Sequence, residues 1–200
     1  MDIVIKDLRK AFGENTVLNG VDLTLKDHGV YCLMGPSGTG KTTLLRILLG
    51  LEQPDSGSVT GSDGIRVSAV FQEDRLLDTL SPVDNICLVC GDFASRETVR
   101  KNLLRILPEE CLDQPVRELS GGMKRRAALA RAAWYPSKLM ILDEPFTGLD
   151  IKTKDNVIRY LLDMRRNRTM IVATHAPDDA GKLNGTVIRL DPEAVPEETV

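Results

Sequence analysis

The spacing of apolar and polar residues divides the chain into two regions. In residues 2–34 the two kinds of residue alternate, and turn-forming residues interrupt the alternation at positions 13–15, 19–20 and 28–29. A period of two predicts β-strands, so we expect several short strands in this region. The segment 54–64 (PDSGSVTGSDG) is rich in turn-forming residues and predicts a break.

Beyond residue 64, short apolar runs alternate with segments of helical spacing. The runs lie at residues 65–71, 139–142, 169–173 and 186–190, and each predicts a strand. Those at 139–142 and 169–173 are expected to be buried on both faces of a parallel sheet. Helices are expected over residues 96–107, 121–134 and 151–164. Ser81-Pro82 is typical of a helix N-cap followed by proline at the first helical position.

Together these elements predict an α/β fold organised as one domain, residues 1–200. An N-terminal antiparallel β subdomain comes first, and an alternating α/β core follows. A helical subdomain at about residues 73–134 interrupts that core. The last ten residues, 191–200, are acidic and contain proline, so we expect a frayed tail.

Composition narrows the class of protein. Hydrophobic residues make up 42% and charged residues 28%, an ordinary balance for a globular domain. The net charge of −3 argues against a nucleic-acid partner, and the basic clusters at 124–126 and 165–168 are expected to be solvated helix faces. No apolar run reaches the roughly 18 residues of a membrane span, and the N-terminus lacks the apolar core of a signal peptide.

Four cysteines include one CxxC pair, Cys87 and Cys90, and no second pair completes a zinc site. We expect both to be small apolar residues on a helix, with metal or redox chemistry as the less favoured alternative. Free thiols are typical of a reducing, cytoplasmic compartment.

The segment 35–42 (GPSGTGKT) matches the phosphate-binding pattern G-x-x-x-x-G-K-[ST], and we call it the phosphate loop. Its glycines let the backbone turn tightly and bring N–H groups against phosphate oxygens. Lys41 supplies positive charge for the β- and γ-phosphates, and the Thr42 hydroxyl can ligate Mg²⁺. The expected nucleotide-binding residues here are Gly35, Pro36, Ser37, Gly38, Thr39, Gly40, Lys41, Thr42 and Thr43.

Two acidic residues, Asp143 and Glu144, follow the apolar run 139–142. The carboxyl ends of parallel strands face the crevice in which such sheets bind ligands. Asp143 can therefore hold Mg²⁺ through water, and Glu144 can polarise an attacking water as general base. An acid pair that merely caps a helix is the structural alternative.

A third motif, LSGGMKRRAALARAAW, begins at Leu119 and opens the predicted Ala- and Arg-rich helix. Ser120 is a natural N-cap, and the glycine pair after it lets a ligand approach the helix N-terminus, although a capped helix without a ligand is also possible. The segment resembles the signature of ATP-binding cassette (ABC) ATPases, usually LSGGQ. The order of phosphate loop, Gln72, signature, LMILDEP, TGLD and His175 also resembles that family, over residues 3–190.

The resemblance implies a head-to-tail dimer of two such ATPase domains, identical or related, which binds two ATP molecules with Mg²⁺. Each nucleotide would lie between the phosphate loop of one subunit and the signature of the other. Ser120, Gly121 and Gly122 would then contact the γ-phosphate held by the partner, as a helix N-terminus can. Asp150, in TGLD, would contact the partner subunit.

The resemblance also assigns chemical roles. Gln72 would ligate Mg²⁺ or water and report the nucleotide state to the helical subdomain. His175 would hydrogen-bond the γ-phosphate and help to hold the attacking water. The expected catalytic residues are Lys41, Gln72, Glu144 and His175. The expected metal ligands are Thr42, Gln72 and Asp143.

Phe12 aligns with the aromatic residue that stacks on adenine in this family, and Val17 is expected to flank the same base. Stacking needs only a π face, so Phe can serve; packing in the small β core is the alternative for Phe12. Met123 replaces the usual glutamine of the signature, near the partner's ribose. Methionine cannot make the hydrogen bond expected of that glutamine, and this loss either weakens the dimer or is tolerated. We expect the protein to remain active as an ATPase.

The short segment 73–118 and the single cassette favour a stand-alone transport ATPase subunit, peripheral on the cytoplasmic face through a separate membrane permease. Residues 71–86 resemble the ATPase subunits of importers for nitrate, sulfonates, taurine and similar small solutes. Phe146 is also more typical of importers than of exporters. A solute-binding protein is a further candidate partner. Residues 76, 77 and 80, all leucine, would form part of the groove for a permease helix, or pack within the helical subdomain.

Two other functions remain open at this point. The first is a soluble, non-transport ABC ATPase with a regulatory or assembly role. The second is a phosphate-loop kinase for small molecules, which would leave the signature segment unexplained.

Overall fold

The computed structural model describes residues 2–190. The strands are β1 (Ile3–Phe12), β2 (Asn15–Leu25), β3 (Val30–Met34), β4 (Ser56–Thr60), β5 (Val67–Val70), β6 (Leu139–Asp143), β7 (Thr169–Ala173) and β8 (Thr186–Arg189). The helices are α1 (Lys41–Leu48), α2 (Pro82–Cys90), α3 (Arg96–Leu103), α4 (Gly121–Trp134), α5 (Ile151–Arg165) and α6 (Pro177–Leu183). Short 3₁₀ turns lie at Gly91–Phe93, Glu109–Cys111 and Val116–Glu118. The tail 191–200, predicted to fray, lies outside the described residues.

The chain forms two compact units, which we describe separately. The first comprises the described residues of Met1–Ile65 and Thr169–Val200, and the second is Arg66–Arg168. Helices α2 to α4 lie inside the segment expected to be a helical subdomain. The single domain of residues 1–200 stays a prediction. None of the six α-helices in residues 2–190 has both the length and the apolar character of a membrane span.

In the first unit, β1 pairs antiparallel with β2 on one side and with β4 on the other. The predicted turn at 19–20 is wrong, because these residues form a bulge inside β2. Leu8 pairs with Val21 and Lys10 with Leu18, so β2 carries one extra residue there. Gly20 accommodates the bulge at φ +69°. The region therefore holds long, continuous strands instead of several short ones.

Strand β4 lies within the segment predicted to be a turn-rich break. Its sequence, SGSVT, is largely exposed and has no apolar alternation that could reveal a strand. What makes the pairing possible is Gly57, at φ +85°, where a Cβ atom would lie only 2.2 Å from the Asp7 carbonyl oxygen. Only glycine allows β4 to approach β1 so closely.

The first unit also holds three parallel strands, in which β3 lies between β7 and β8. Every residue of β7 is buried, as the apolar run predicted. Leu33 pairs with Ala173, so β3 and β7 end at the same edge. The loops that follow these two strands therefore begin side by side.

The second unit combines the parallel pair β5 and β6 with four helices. Strand β6 is buried throughout, and α4 follows the predicted bounds. The predicted N-cap of α2 is confirmed, because the Ser81 hydroxyl accepts a hydrogen bond from the Asp84 amide at 3.1 Å. Helix packing buries Val83, Ile86, Val99 and Leu129 completely.

Helix α3 ends at Leu103, four residues before the predicted end. Hydrogen bonds between residues three apart follow instead: the Arg105 amide donates to the Asn102 carbonyl, and the Ile106 amide donates to the Leu103 carbonyl. The Asn156 amide and the Arg126 guanidinium donate to the carbonyls of Arg105 and Ile106, both at 2.6 Å. Because side chains satisfy these carbonyls, the helix need not continue to Pro108.

Candidate functional site

The phosphate loop follows β3 and opens α1 in the first unit. Lys41 is only 9% exposed, and its ammonium donates to the carbonyls of Gly35 at 2.6 Å and Pro36 at 2.8 Å. These bonds use two of the three ammonium donors and hold the charge against the loop. The Thr39 hydroxyl also donates to Pro36, at 2.9 Å. The loop is therefore braced by its own side chains.

The fold requires glycine at two positions of this loop for different reasons. Gly40 has φ +86°, and a Cβ there would lie 2.6 Å from Leu18 and 2.7 Å from the Val17 carbonyl. Gly38 has φ +87°, but no described atom lies within 4 Å of the Cβ position. The fold requires Gly40 for space as well as for conformation, whereas Gly38 is needed for conformation alone.

His175 stands at the same edge of the parallel strands as the phosphate loop. Because Leu33 pairs with Ala173, Gly35 and His175 each lie two residues beyond one strand pair. The neighbouring Thr174 is buried; its amide donates to the Leu33 carbonyl at 3.1 Å, and its hydroxyl donates to Asp179 at 2.7 Å. These bonds fix the backbone from which the exposed His175 side chain projects.

Phe12 ends β1 with its ring 51% exposed, so the alternative that it packs in the β core is wrong. The Lys10 ammonium lies 5.2 Å from the ring centroid and leaves much of the aromatic surface accessible. Val17, on β2, lines a cavity of about 450 Å³ together with Thr39 and Arg189. The first unit thus offers an exposed aromatic face at the end of β1 and a concave surface that includes Thr39 of the phosphate loop.

In the second unit, Gln72 and Glu144 occupy matching positions. Val70 pairs with Leu142 across β5 and β6, and each candidate lies two residues further on. Asp143 is buried, Glu144 is half-buried, and Gln72 is exposed. Glu144 has a left-handed backbone, at φ +46°, which is unfavourable for a residue with a side chain.

The signature segment begins α4 as predicted. The Ser120 hydroxyl accepts from the Met123 amide at 3.4 Å and so caps the helix. A Cβ on Gly121 would meet no described atom within 4 Å, and one on Gly122 would meet only Leu149, at 3.7 Å. Nothing in the fold of the described chain therefore requires glycine at either position.

Met123, the departure from the usual signature, is partly buried and packs against its own chain. It contacts a small buried cluster of Cys111, Val116 and Leu119, and its sulfur lies 3.5 Å from the Cys111 sulfur. Its thioether is a flexible, polarizable group that fills such gaps well. The side chain at this position thus has a structural use that glutamine would not serve.

Asp150 caps α5. Its carboxylate accepts from the Thr153 amide at 3.0 Å and from the Thr153 hydroxyl at 2.6 Å. The hydroxyl bond above all, and then the amide bond, hold the pKa of Asp150 below its ordinary value. The residue therefore carries a fixed negative charge on an exposed helix end.

The three leucines were expected either to form a permease groove or to pack within the helical subdomain, and they differ in this respect. Leu76 packs against the same buried cluster as Met123, whereas Leu77 is 48% exposed. Asn85 holds the Leu77 backbone from both sides, since it accepts from the amide at 2.9 Å and donates to the carbonyl at 3.1 Å. Leu80 is partly buried, and its carbonyl accepts from Asn85 at 3.4 Å. The protein thus presents Leu77 on a well-ordered loop.

Cys87 and Cys90 lie on α2, as expected. Burial raises the pKa of both thiols, that of Cys90 to about 11. Within residues 2–190 no group of three His, Cys, Asp or Glu side chains is placed to hold a metal. Burial of Cys90 on α2 fits the expected apolar role, and metal or redox chemistry of the pair stays untested.

Sequence reasoning missed one residue of this region. The cluster 124–126 was expected to be a solvated face, but Arg125 is only 5% exposed. Its guanidinium donates to the carbonyls of Phe71 at 2.6 Å and Glu144 at 2.7 Å. The helical spacing carries a signal, since Arg125 precedes the buried Ala128 and Leu129 by three and four residues.

Comparison with known proteins gives consistent matches. A family model described as ABC transporter matches residues 18–147. The aliphatic sulfonates import ATP-binding protein SsuB 1 of Nocardia farcinica is 40% identical over 192 residues, 94% of this chain and 78% of that relative. The sulfate/thiosulfate import ATP-binding protein CysA of Bradyrhizobium diazoefficiens is 35% identical over 211 residues, 96% of this chain and 61% of that relative.

Solved structures agree with these matches. A dimeric ATP-binding cassette in a post-hydrolysis state, bound to ADP and Pi, has a TM-score of 0.81 at 27% identity. A dimeric bacterial ABC transporter cassette has a TM-score of 0.82 at 28% identity. Each match covers 95% of this chain and 94% of the other chain.

Replacing Met123 tests whether its side chain belongs to the interior. We expect Met123→Gln to lower the free energy of unfolding by about 1 kcal/mol, because an amide would replace a thioether among apolar groups. Met123→Leu, the control of similar volume, should change it by less. Urea unfolding followed by circular dichroism measures both. A glutamine variant as stable as the wild type would mean that the side chain can turn outward without cost.

Proposed function

This chain belongs to the ABC transporter family, and on that basis we propose which residues carry its chemistry and what it transports. It has the predicted α/β fold of the ABC ATPases. It is the ATP-binding and ATP-hydrolysing subunit of an import system, and it uses ATP with Mg²⁺. A regulatory ABC ATPase and a small-molecule kinase are the less favoured readings, because the relatives are import subunits.

In the first unit, the phosphate loop would bind the β- and γ-phosphates. Lys41 supplies the charge, and the helix that begins there directs its N-terminal dipole at the anion. His175 would donate a hydrogen bond to the γ-phosphate from its position two residues beyond β7. Phe12 offers an exposed face on which adenine can stack, with Val17 beside the base.

In the second unit, Glu144 would be the general base. Its neighbour Asp143 is a buried carboxylate, and Gln72 presents an amide oxygen. Oxygen donors of this kind fit Mg²⁺. The ion supplies charge that stabilises the transferring phosphoryl group. Glu144 would take the proton of a water molecule as that water attacks the γ-phosphorus.

The fold does not require glycine at positions 121 and 122 of the signature, and this observation supports a nucleotide site shared between two subunits. The N-terminus of α4 is capped by Ser120, and the surface over Gly121 is open. A helix N-terminus whose first two residues are glycines is well suited to a phosphate, because no side chain of those residues stands in its way. Two such domains would close head to tail on two MgATP, and the fixed charge of Asp150 would contact the partner.

A separate membrane permease would bind the helical subdomain, so that closure of the two ATPase domains moves the permease. The exposed Leu77 and its ordered loop are suited to an apolar helix end. The ATPase would then lie on the cytoplasmic face of the membrane through its permease. We further propose a small sulfur-containing anion, an aliphatic sulfonate, as the solute, with a solute-binding protein delivering it, because the relatives include sulfonate import subunits.

The role of Glu144 can be tested by hydrolysis. We expect Glu144→Gln to bind MgATP with unchanged affinity and to hydrolyse it at least a hundredfold more slowly, because the amide cannot accept the water's proton. Phosphate release measures hydrolysis, and equilibrium dialysis measures binding. The exposed Glu97→Gln on α3 is the matched control. Hydrolysis by Glu144→Gln at the wild-type rate would refute the assignment.

The shared site can be tested by mass in solution. In the Glu144→Gln background, MgATP should double the mass, and an added Gly121→Asp should abolish the doubling by repelling the partner's γ-phosphate. The same aspartate favours its own helix N-terminus, so folding should not suffer. Gly181→Asp, at another helical glycine with open space, should leave the doubling intact. Dimerisation of the Gly121→Asp protein would contradict the shared site.

The solute can be tested by growth. A host strain that lacks this gene should lose growth on an aliphatic sulfonate as sole sulfur source and keep growth on sulfate. The wild-type gene should restore growth, and Glu144→Gln should not. Loss of growth on sulfate alone would point to sulfate import, as in the second relative, and would overturn the sulfonate proposal.

A further inference from the structure

We propose that Arg125 is a positioning residue that locks the Glu144 peptide, the Gln72 loop and the signature helix into one rigid arrangement. The inference rests on the proposed role of Glu144 as general base. Its support comes from six contacts within the second unit, all made by one buried guanidinium. Because these contacts reach the two loops that follow β5 and β6, a single side chain on α4 can set the geometry of both.

The hydrogen bonds of Arg125 account for every donor that it has. Its Nε donates to the Pro145 carbonyl at 3.0 Å. Its Nη2 donates to the carbonyls of Asp143 at 2.9 Å and Glu144 at 2.7 Å. Its Nη1 faces three acceptors, the carbonyls of Phe71 at 2.6 Å and Gln72 at 3.4 Å and the Asp74 carboxylate at 3.1 Å. A guanidinium has five N–H groups, so one of these bonds is shared.

Five of the six acceptors are backbone carbonyls, and only Asp74 carries a charge. The arginine therefore does more than neutralise an acid, since a simple ion pair would need no carbonyls. It replaces the hydrogen-bond partners that two irregular loops would otherwise lack in the interior. Removal of the guanidinium would leave buried carbonyls without these donors, and the loops would have to move to find water or other donors.

The contact with Glu144 matters most for the reaction. This residue has φ +46°, a conformation that persists only where the surroundings hold it. Arg125 binds the carbonyl of Glu144 and those of both its neighbours. The direction of the Glu144 side chain follows from this backbone conformation, so the guanidinium determines where the base points.

The same guanidinium ties the base to the other two motifs. Through Nη1 it holds the loop of Gln72, and through its own backbone it belongs to the helix that Gly121 opens. At a rise of about 1.5 Å per residue, Arg125 lies only about 6 Å along the axis from Gly121. A displacement of the α4 N-terminus is thus transmitted directly to Glu144 and Gln72.

A lysine cannot reproduce this arrangement. Its three donors radiate from one nitrogen, whereas the guanidinium spreads five donors over a planar fork that spans both loops. We expect Arg125→Lys to lower kcat for ATP hydrolysis at least tenfold and to change KM for ATP less than threefold, because the phosphate loop lies in the other unit. Hydrogen exchange measured by mass spectrometry should become faster in both segments 71–75 and 143–147.

The control is Arg131, which lies on the same helix. It donates to the carbonyls of Arg75 at 2.8 Å and Asp74 at 3.4 Å, and so contacts the loop after β5. None of the hydrogen bonds described for Arg131 reaches residues 143–145. Arg131→Lys should therefore speed exchange in segment 71–75 alone and keep kcat within twofold of the wild type.

The outcomes separate this inference from the proposed function. If Glu144→Gln is inactive while a folded Arg125→Lys keeps kcat within twofold, the positioning role is wrong and the base assignment stands. If Glu144→Gln remains active, the base assignment is wrong, and coupled exchange in both segments still decides whether Arg125 joins the loops. If Arg125→Lys fails to fold, Arg125→Gln carries the same test with the same thresholds, since it buries no cation and takes an ion-pair partner only from the partly exposed Asp74 carboxylate.

Discussion

The register of parallel strand pairs is the constraint on which the candidate site depends. In the first unit, the pairing of Leu33 with Ala173 sets the phosphate loop beside His175. In the second unit, the pairing of Val70 with Leu142 sets Gln72 level with Glu144. Neither arrangement needs side-chain contacts between the candidates, because backbone hydrogen bonds between strands already fix where each loop begins. A slip of one residue would turn every side chain of the strand to the other face.

Loops placed in this way expose carbonyls that no strand partner can satisfy, and buried cations satisfy them. Lys41 serves the carbonyls of its own loop, and Arg125 serves two loops of the second unit. A cation suits this task because a charged donor binds carbonyls more strongly than a neutral one. The same groups thus stabilise these loops and determine their shape.

Much of this could be predicted from the sequence, because apolar periodicity and caps are local signals. The buried strands, α4 and the Ser81 cap were predicted correctly for that reason. Strand β4 was missed because its exposed SGSVT sequence owes its place to close packing of Gly57 against β1. Arg125 was misjudged because charge favours the surface by default, and only its distant carbonyl partners make burial favourable.

The glycines show how a structure can separate the needs of a fold from those of a ligand. A side chain at Gly40 or Gly57 would clash with the protein's own chain, so the fold alone explains why these residues are glycine. A Cβ added to Gly121 would contact no other described part of the protein. A side chain at this position would nevertheless cover the N-terminus of α4. Met123, two residues further on, turns inward to Cys111. A change at that position can therefore be absorbed by packing, whereas a side chain on Gly121 would cover the N-terminus of α4, where we propose that a phosphate of the partner's nucleotide binds.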